Sequence, residues 1–307
     1  MDARALVRRI LAIPLLVWGV ATLAFFLMRA APGGPFDRER APASREVEAA
    51  LKARYHLDEP LGRQYVRYLG GLARGDLGPS LKYRHHGVNE ILAQALPVSM
   101  TLGWLAFGTA MGLGIPVGAA GAVWRGRWPD WLGTVLVLAG ACIPTFVLAP
   151  LLVLGLSLGA GWFPVAGWGS PSHAILPVMA LGLYFAARVA RLMREGLAEV
   201  LRSPFILAAR AKGVSPGGIL WRHAMRPALV PVVSYAGPML ADLLTGSFVV
   251  ERIFQVPGTG AFFTNSFFSR DYTLMTGLVV VYSFLLLVLN LATDLAHRWL
   301  DPRIRHA

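Results

Sequence analysis

Two carboxylates inside long apolar runs are the residues of this sequence with the clearest capacity for chemistry. Asp242 and Asp294 each lie among aliphatic and aromatic residues, and an acid in a membrane-spanning run is costly and commonly functional. Two such acids could pass protons in an ion-coupled carrier. His297 and Arg298 follow Asp294 closely, so Asp294 is expected to pair locally at the membrane interface. Asp242 has no partner close in sequence, which makes it a candidate for lining a pore.

The sequence lacks the residues that usually bind nucleotides through a P-loop or form disulfides and cysteine-based metal sites. The sequence has no Gly-x-x-x-x-Gly-Lys-Ser/Thr pattern, so the chain is not expected to bind ATP through a P-loop. Its single cysteine, Cys142, can form neither an intrachain disulfide nor a cysteine-based metal site. We therefore predict no catalytic residue, no metal site and no cofactor bound by this chain. Active transport would need a separate ATPase or an ion gradient.

The apolar run around Asp242 also carries other polar side chains. A hydrated path through a membrane needs such groups, and the predicted lining residues are Ser234, Tyr235, Asp242, Thr245 and Ser247. Serine and threonine also form hydrogen bonds between membrane helices, so that interpretation stays open beside the first.

A short stretch between two apolar runs has the composition of a docking helix. It mixes apolar, small and basic residues and ends near a helix-stopping glycine: Phe205, Ile206, Leu207, Ala208, Ala209, Arg210, Ala211, Lys212, Gly213, Val214 and Ser215. Its alanines would let a partner approach closely, and the three residues at 205–207 would enter an apolar groove. The alternative is an ordinary basic loop beside the membrane.

Long apolar runs must position all of these residues. Hydrophobic residues make up 55% of the 307 residues and charged residues only 15%, below the share of about 25% in soluble domains. Runs of about 20 apolar residues predict membrane-spanning helices, here at 10–29, 97–123, 131–158, 173–193, 229–250 and 274–297. The predicted fold class is an all-α integral membrane protein. The net charge of +12 does not indicate nucleic-acid binding, because the charges lie between the apolar runs.

Basic residues in the short loops predict the orientation of the helices. Lys and Arg concentrate before the first run, between the second and third, after the last and throughout 188–228, and cytoplasmic flanks retain positive charge. Both termini and the loop 188–228 are therefore predicted to be cytoplasmic. Loop 159–172 has no Lys or Arg and 251–273 has only two, so both are predicted to lie outside.

The long segment 30–96 is also predicted to lie outside, since long loops cross the membrane largely regardless of charge. Leu61, Tyr65, Tyr68, Leu69 and Leu72 recur in it at helical spacing, which predicts a small helical cap; a disordered loop is the alternative. The predicted layout is an N-terminal tail and first helix, an external cap, a five-helix core with the cytoplasmic loop 188–228, and a C-terminal tail, at 1–29, 30–96, 97–297 and 298–307.

Short motifs over nearly the whole chain resemble those of one transporter family. They read MRAAPGGPF, YHLD, GDLGPS, ARAKG, RHAMRPAL and PGTG, at 28–36, 55–58, 75–80, 209–213, 222–229 and 257–260. In this order they are similar to the inner-membrane permeases of dipeptide and oligopeptide ABC importers, and most similar to the oligopeptide permease B-type subunit. The loop motif of that family usually carries an acid where this chain has Leu207.

The resemblance implies the six-helix fold of a type I ABC importer permease in a prokaryotic inner membrane, with the cap between helices 1 and 2. It also implies a homologous second permease, two cytoplasmic ABC ATPases carrying ATP and magnesium, and an external peptide-binding protein. In that family the loop at 205–215 forms the coupling helix that seats in the ATPase. Peptides would be the substrate, with nickel complexes, antibacterial peptides and sugars as alternatives, and an ion-coupled carrier is the rival from another class.

Overall fold

Helices account for the regular secondary structure of the described residues. The computed structural model describes residues 3–30, 50, 53–83, 85–244 and 248–300. Its first half contains α1 (Ala3–Ala30), α2 (Leu61–Leu72), α3 (Val88–Val123), α4 (Trp128–Cys142) and α5 (Thr145–Leu152), which continues as a π-helix (Val153–Gly159). Its second half contains α6 (Pro171–Val200), α7 (Pro204–Ala211), α8 (Pro216–Gly218), a second π-helix (Ile219–Ala224), α9 (Met225–Ala228), α10 (Val230–Leu244), α11 (Phe248–Ile253), α12 (Thr259–Ser269) and α13 (Tyr272–Leu300).

Within the described residues, five helical segments are long and apolar enough to cross a membrane. They are Val7–Ala30, Val88–Val123, Pro171–Val200, Tyr272–Leu295 and Val230–Ile253, the last of which comprises α10 and α11 on either side of 245–247, outside the described ranges. Each contains or overlaps one of the six apolar runs found in the sequence. The predicted fold class, an all-α membrane protein, is confirmed.

The third apolar run, 131–158, is interrupted in the structure. α4 ends at Cys142, and α5 begins after Pro144, whose backbone is extended (φ −60°, ψ 146°). Proline has no N–H to donate and disfavours helical geometry in the residue before it, so the helix breaks at Ile143-Pro144. The run is therefore two shorter helices rather than one continuous span, a break that hydrophobicity alone does not reveal.

The fourth run is longer than predicted. α6 extends to Val200, so the first part of the loop predicted at 188–228 is helical. Residues 186–199 are rich in Ala, Arg, Leu, Met and Glu, which favour helix, and α6 ends before Ser203-Pro204. The candidate docking helix therefore follows directly on a long, stiff membrane helix.

α3 and α6 form the centre of the fold by approaching each other closely. A side chain at Gly114 would meet the Val189 side chain at 2.6 Å, and one at Gly118 would overlap the Ala190 backbone. Such a Gly-x-x-x-Gly spacing allows close backbone contact between membrane helices. Buried residues of α3, α6 and α10 then form one continuous core, which includes Leu102, Met193 and Met239.

α1 and the cap helix α2 lie together at the edge of the bundle. α1 packs against α13, and the hydroxyls of Thr22 in α1 and Tyr65 in α2 are 2.7 Å apart. The Phe25 ring stacks on Tyr68 with centroids 5.4 Å apart. The aromatic stripe that predicted a helix thus faces α1.

Candidate functional site

The predicted docking helix, α7, is attached to the body of the molecule through two side chains. Ile206 and Ala209 are buried in the same cluster as Leu197 of α6. In contrast, Phe205 and Leu207 are about half exposed, at 49% and 55%. Val214 is half-buried, and the rest of the predicted stretch is exposed: Ala208, Arg210, Ala211, Lys212, Gly213 and Ser215. A force applied to the exposed side chains would reach α6 through the two buried ones.

A glycine turn ends α7. Gly213 has φ of +78°, a left-handed conformation that glycine adopts without a steric cost. Its N–H donates to the Arg210 carbonyl oxygen at 2.9 Å, and the Val214 N–H donates to the Ala209 carbonyl oxygen at 3.2 Å. Ser215 Oγ then accepts the Gly218 N–H at 3.3 Å and caps α8. The predicted stop at Gly213 is present, and the loop that follows is tightly hydrogen-bonded.

Sequence reasoning missed a large exposed side chain next to α7. The π-helix Ile219–Ala224 packs beside α7, with Ile219 and Ala224 buried in the shared core. Trp221 in this π-helix is 71% exposed. In the sequence, this contact surface was indicated only by a tryptophan within the basic segment 188–228. Trp221 adds a third large apolar side chain to the surface at this end of the molecule.

An ion pair that was also missed joins α4 to the last turns of α6. Arg194 Nε donates to Asp130 Oδ1 at 2.7 Å, and Nη2 donates to Oδ2 at 3.1 Å. The Gly126 N–H also donates to Asp130 Oδ2, at 2.9 Å. Two-pronged arginine–carboxylate pairs are geometrically specific. This contact therefore ties the loop before α4 to the part of α6 that leads into α7.

The predicted lining residues that the structure describes share a side of α10. Ser234 and Asp242 are exposed, Tyr235 is half-buried, and the spacing from 234 to 242 corresponds to about two helical turns. Ser234 Oγ donates to the Val230 carbonyl oxygen at 2.9 Å, a bond within the helix. The other two predicted residues, Thr245 and Ser247, lie outside the described residues. The solvent-exposed side of α10 thus carries polar groups.

A basic side chain that sequence reasoning did not assign to this face lies beside it. Arg188 of α6 donates to the Tyr184 hydroxyl at 2.8 Å and to the Tyr235 hydroxyl at 3.5 Å, and it interacts electrostatically with Asp242. A cavity of about 300 Å³ opens next to Asp242, lined also by Tyr184 and Phe248. We call Tyr184, Arg188, Tyr235 and Asp242 the polar face. It offers both a cation and an anion to a passing molecule.

A buried carboxylate organises the loop after α11. Glu251 is 1% exposed; its Oε1 accepts the Ser99 hydroxyl at 2.8 Å and its Oε2 accepts the Gly260 N–H at 2.8 Å. The Thr259 N–H donates to Ser99 Oγ at 2.8 Å. A side chain at Gly258 would overlap the Glu251 carboxylate. The PGTG motif at 257–260 therefore packs closely around the Glu251 carboxylate, and its first glycine leaves no room for a side chain.

A second buried carboxylate joins the segment between α2 and α3 to the loop before α13. Asp271, also 1% exposed, accepts the Ser80 hydroxyl in a short hydrogen bond, and it accepts the N–H groups of Leu81 and Lys82, each at 3.2 Å. The Leu274 N–H donates to Asp271 Oδ1 at 3.1 Å. The GDLGPS motif and the turn before α13, which are far apart in sequence, are thus parts of one hydrogen-bonded structure.

Asp294, the other intramembrane acid, pairs across helices. It forms an ion pair with Arg9 of α1. The side chains of the expected local partners, His297 and Arg298, lie outside the described residues. The pair joins the ends of α1 and α13. Among the residues that the structure describes, no three His, Cys, Asp or Glu side chains gather to hold a metal ion.

Comparisons with known sequences agree on one transporter family. Residues 114–306 match the family described as the binding-protein-dependent transport system inner membrane component. The chain is 44% identical to the oligopeptide transport system permease protein OppB of Haemophilus influenzae, over 93% of this chain and 94% of that protein. It is 41% identical to the dipeptide transport system permease protein DppB of Bacillus subtilis, over 99% and 98%.

The fold is similar to that of solved transporter structures. The inward-facing MetNI methionine ABC transporter matches with a TM-score of 0.58 and 20% identity, over 69% of this chain and 96% of that one. An amino acid ABC transporter matches with a TM-score of 0.55 and 18% identity, over 69% and 94%. At this identity the similarity concerns the fold.

Proposed function

Since the chain belongs to the family of binding-protein-dependent transport system inner membrane components, we propose that it forms half of a transmembrane path for peptides. It is a transmembrane permease subunit of an ABC importer and has the type I importer permease fold, so the family resemblance of its motifs is confirmed. Peptides as the substrate follow from relatives named for oligopeptide and dipeptide transport.

The exposed apolar side of α7 is the observation that best supports coupling to an ATPase. Phe205 and Leu207 are half exposed in a helix whose neighbours Ile206 and Ala209 are buried in the core. A short helix that presents such side chains fits a groove in a partner protein. In the proposed assembly, two cytoplasmic ABC ATPases hold ATP and magnesium, and one of them seats α7.

The polar face supports the proposed path. The exposed side of α10, which carries part of the polar face, would face a homologous second permease. The path would run between the two subunits. ATP binding would favour one of two arrangements of the pair through its different affinity for each, and α7 would transmit that change to α6. An external peptide-binding protein would dock over 30–96 and 251–273 and deliver the substrate.

The proposal also includes the membrane in which the chain lies and its orientation there. The chain is a multi-pass membrane protein. We place it in the inner membrane of a prokaryote with both termini in the cytoplasm, because basic residues concentrate on that side. The chain itself would carry out no covalent step, and hydrolysis would take place on its ATPase partners.

The test removes the exposed apolar side chains of α7. The double variant Phe205→Ala, Leu207→Ala should insert normally, since neither side chain is part of the buried core. Loss of two large contacts should weaken docking by about 3 kcal/mol, so that peptide uptake and peptide-stimulated ATP hydrolysis both fall at least tenfold. Uptake of labelled peptide into proteoliposomes containing the purified complex measures the first, and phosphate release measures the second.

A matched double variant controls for the loss of apolar surface. Leu23→Ala, Leu27→Ala removes two comparably exposed side chains from α1 and should leave both activities unchanged. Full activity of the α7 variant would remove the mechanical role of this helix. If the wild-type complex imports no peptide, the proposed substrate class is wrong.

A further inference from the structure

A cavity lies at the outer edge of the bundle, away from the polar face. It has a volume of about 510 Å³ and is bounded by the end of α1, the cap helix α2 and the start of α13. α13 lies between α1 and α10 in the packing order, since α1 packs against α13 and α13 packs against α10. The cavity is therefore not a part of the proposed peptide path.

Arginine side chains dominate the polar lining of this cavity. Arg29, Arg54, Arg67 and Arg74 line it, with Asp76 as the one carboxylate in the lining. Arg67 is paired with Glu59 at 2.8 Å. Within the part of the chain that the structure describes, no ion pair neutralises Arg29, Arg54 or Arg74. The cavity thus carries an excess of positive charge that is suited to an anion.

Hydrogen-bond donors and an apolar wall complete the lining. Arg29 lies over the Phe25 ring at 3.5 Å and donates to Gln64 Oε1 at 3.0 Å, which holds its guanidinium at the cavity. The buried Tyr68 hydroxyl has no hydrogen-bond partner of normal geometry among the described residues, since the nearby Thr276 hydroxyl donates to the Tyr272 carbonyl oxygen at 2.8 Å. Burial raises the pKa of Tyr68, so it remains a neutral donor at neutral pH.

The depth of the cavity places it beside lipid headgroups. α2 contacts α1 from Thr22 to Arg29, which is within roughly 12 Å of the outer end of that helix at 1.5 Å per residue. The neighbouring α1 side chains Leu23 and Leu27 are about 60% exposed, as expected for a surface that meets acyl chains. Leu61 and Val66 of α2 are also exposed, a pattern typical of a helix lying in the membrane interface.

We propose that this cavity binds the phosphate headgroup of an anionic phospholipid of the outer leaflet. Arginine suits a phosphate because its planar guanidinium can donate two parallel hydrogen bonds. Arg29, Arg54 and Arg74 would surround the phosphate, while the acyl chains would lie along the exposed side of α1. The bound lipid would fasten the cap helix to α1 and α13. A lipid is favoured over a peptide carboxylate because the cavity opens beside the lipid-facing side of α1.

The test measures retained lipid on the full-length chain, purified in mild detergent with its co-purifying subunits. Native mass spectrometry follows binding while phosphatidylglycerol is titrated in, with phosphatidylcholine as the uncharged comparison. In the double variant Arg54→Gln, Arg74→Gln, half-saturation should need roughly tenfold more phosphatidylglycerol, since each basic residue near a membrane surface contributes appreciably to anionic-lipid binding. The control Arg63→Gln, Arg252→Gln removes the same charge from exposed residues outside the cavity and should bind like the wild type.

Three results would overturn the proposal. These are equal phosphatidylglycerol binding by the wild type and the cavity variant, equal retention of phosphatidylcholine by the wild type, and displacement of the lipid by inorganic phosphate alone, which would identify a site for a free anion. The assay measures bound phospholipid and does not depend on peptide transport. A failure of peptide import would therefore leave its result standing, and the reverse also holds.

Discussion

The two ends of this molecule, which the proposed orientation places outside and in the cytoplasm, differ in how their loops are held. At the outer end, Glu251 and Asp271 are almost fully buried. Glu251 accepts hydrogen bonds from Ser99 of α3 and from Gly260, and Asp271 accepts them from Ser80 and the two residues after it. At the cytoplasmic end, Phe205, Leu207 and Trp221 are left exposed. The two buried carboxylates of the outer loops thus have their hydrogen bonds satisfied within the chain, whereas the short helix α7 and the π-helix beside it leave large apolar side chains uncovered.

This difference separates contacts that hold the fold together from side chains that are free to contact a partner. Buried carboxylates that are fully hydrogen-bonded make a structure specific and stiff, so the outer loops can serve as a preformed platform. Exposed aromatic and aliphatic side chains on a short helix gain free energy only when another protein covers them. We therefore expect substitutions at the outer end to act on stability and substitutions at the cytoplasmic end to act on coupling.

The largest expected effect is on the outer platform. Asp271→Ala removes the acceptor for the Ser80 hydroxyl and for three N–H groups, so the chain should lose about 3 kcal/mol of stability or more. The melting temperature in detergent should fall by roughly 5 to 10 °C. The control Asp58→Ala, at an exposed residue of the same outer segment, should melt like the wild type. Equal melting of both variants would contradict the view of a stiff outer end.

A smaller effect is expected at the glycine that ends α7. Gly213→Val forces a β-branched residue into a backbone with φ of +78°, which costs about 1–2 kcal/mol locally and should displace α7. ATP hydrolysis without peptide should persist while its stimulation by peptide decreases severalfold. Gly217→Val, at an exposed glycine with open space and no left-handed φ, is the matched control. Intact stimulation in the Gly213 variant would show that the end of α7 need not be rigid.

The smallest effect concerns the Arg194–Asp130 pair. A double-mutant cycle with Asp130→Asn and Arg194→Gln should give an interaction energy of about 1 kcal/mol, because the pair is two-pronged and Asp130 is largely buried. Chemical denaturation of the purified chain measures the stability of all four forms. Additive single effects would mean that α4 and α6 are not joined by this pair.

The docking helix of the candidate site could be predicted from the sequence, because its formation depends on local composition. The stretch 205–215 stood out through its alanines, its apolar start and Gly213, and in the structure it contains a short helix that ends at that glycine. Its direct continuation from α6 was not predicted, since the basic residues after 188 suggested a loop, whereas helix propensity extends α6 to Val200. Hydrophobicity does not reveal the break of the third run at Pro144, because the residues on both sides of it are equally apolar.

The sequence by itself determined that the chain is an all-α membrane protein, because the hydrophobicity of a run is a local property that decides where a helix can cross a bilayer. Only the tertiary structure decided the partners of the charged residues. Asp271 meets Ser80 across 191 positions and Asp130 meets Arg194 across 64. Hydrogen bonds require atoms to approach within about 3 Å, and distances of that kind arise only when the helices are packed together.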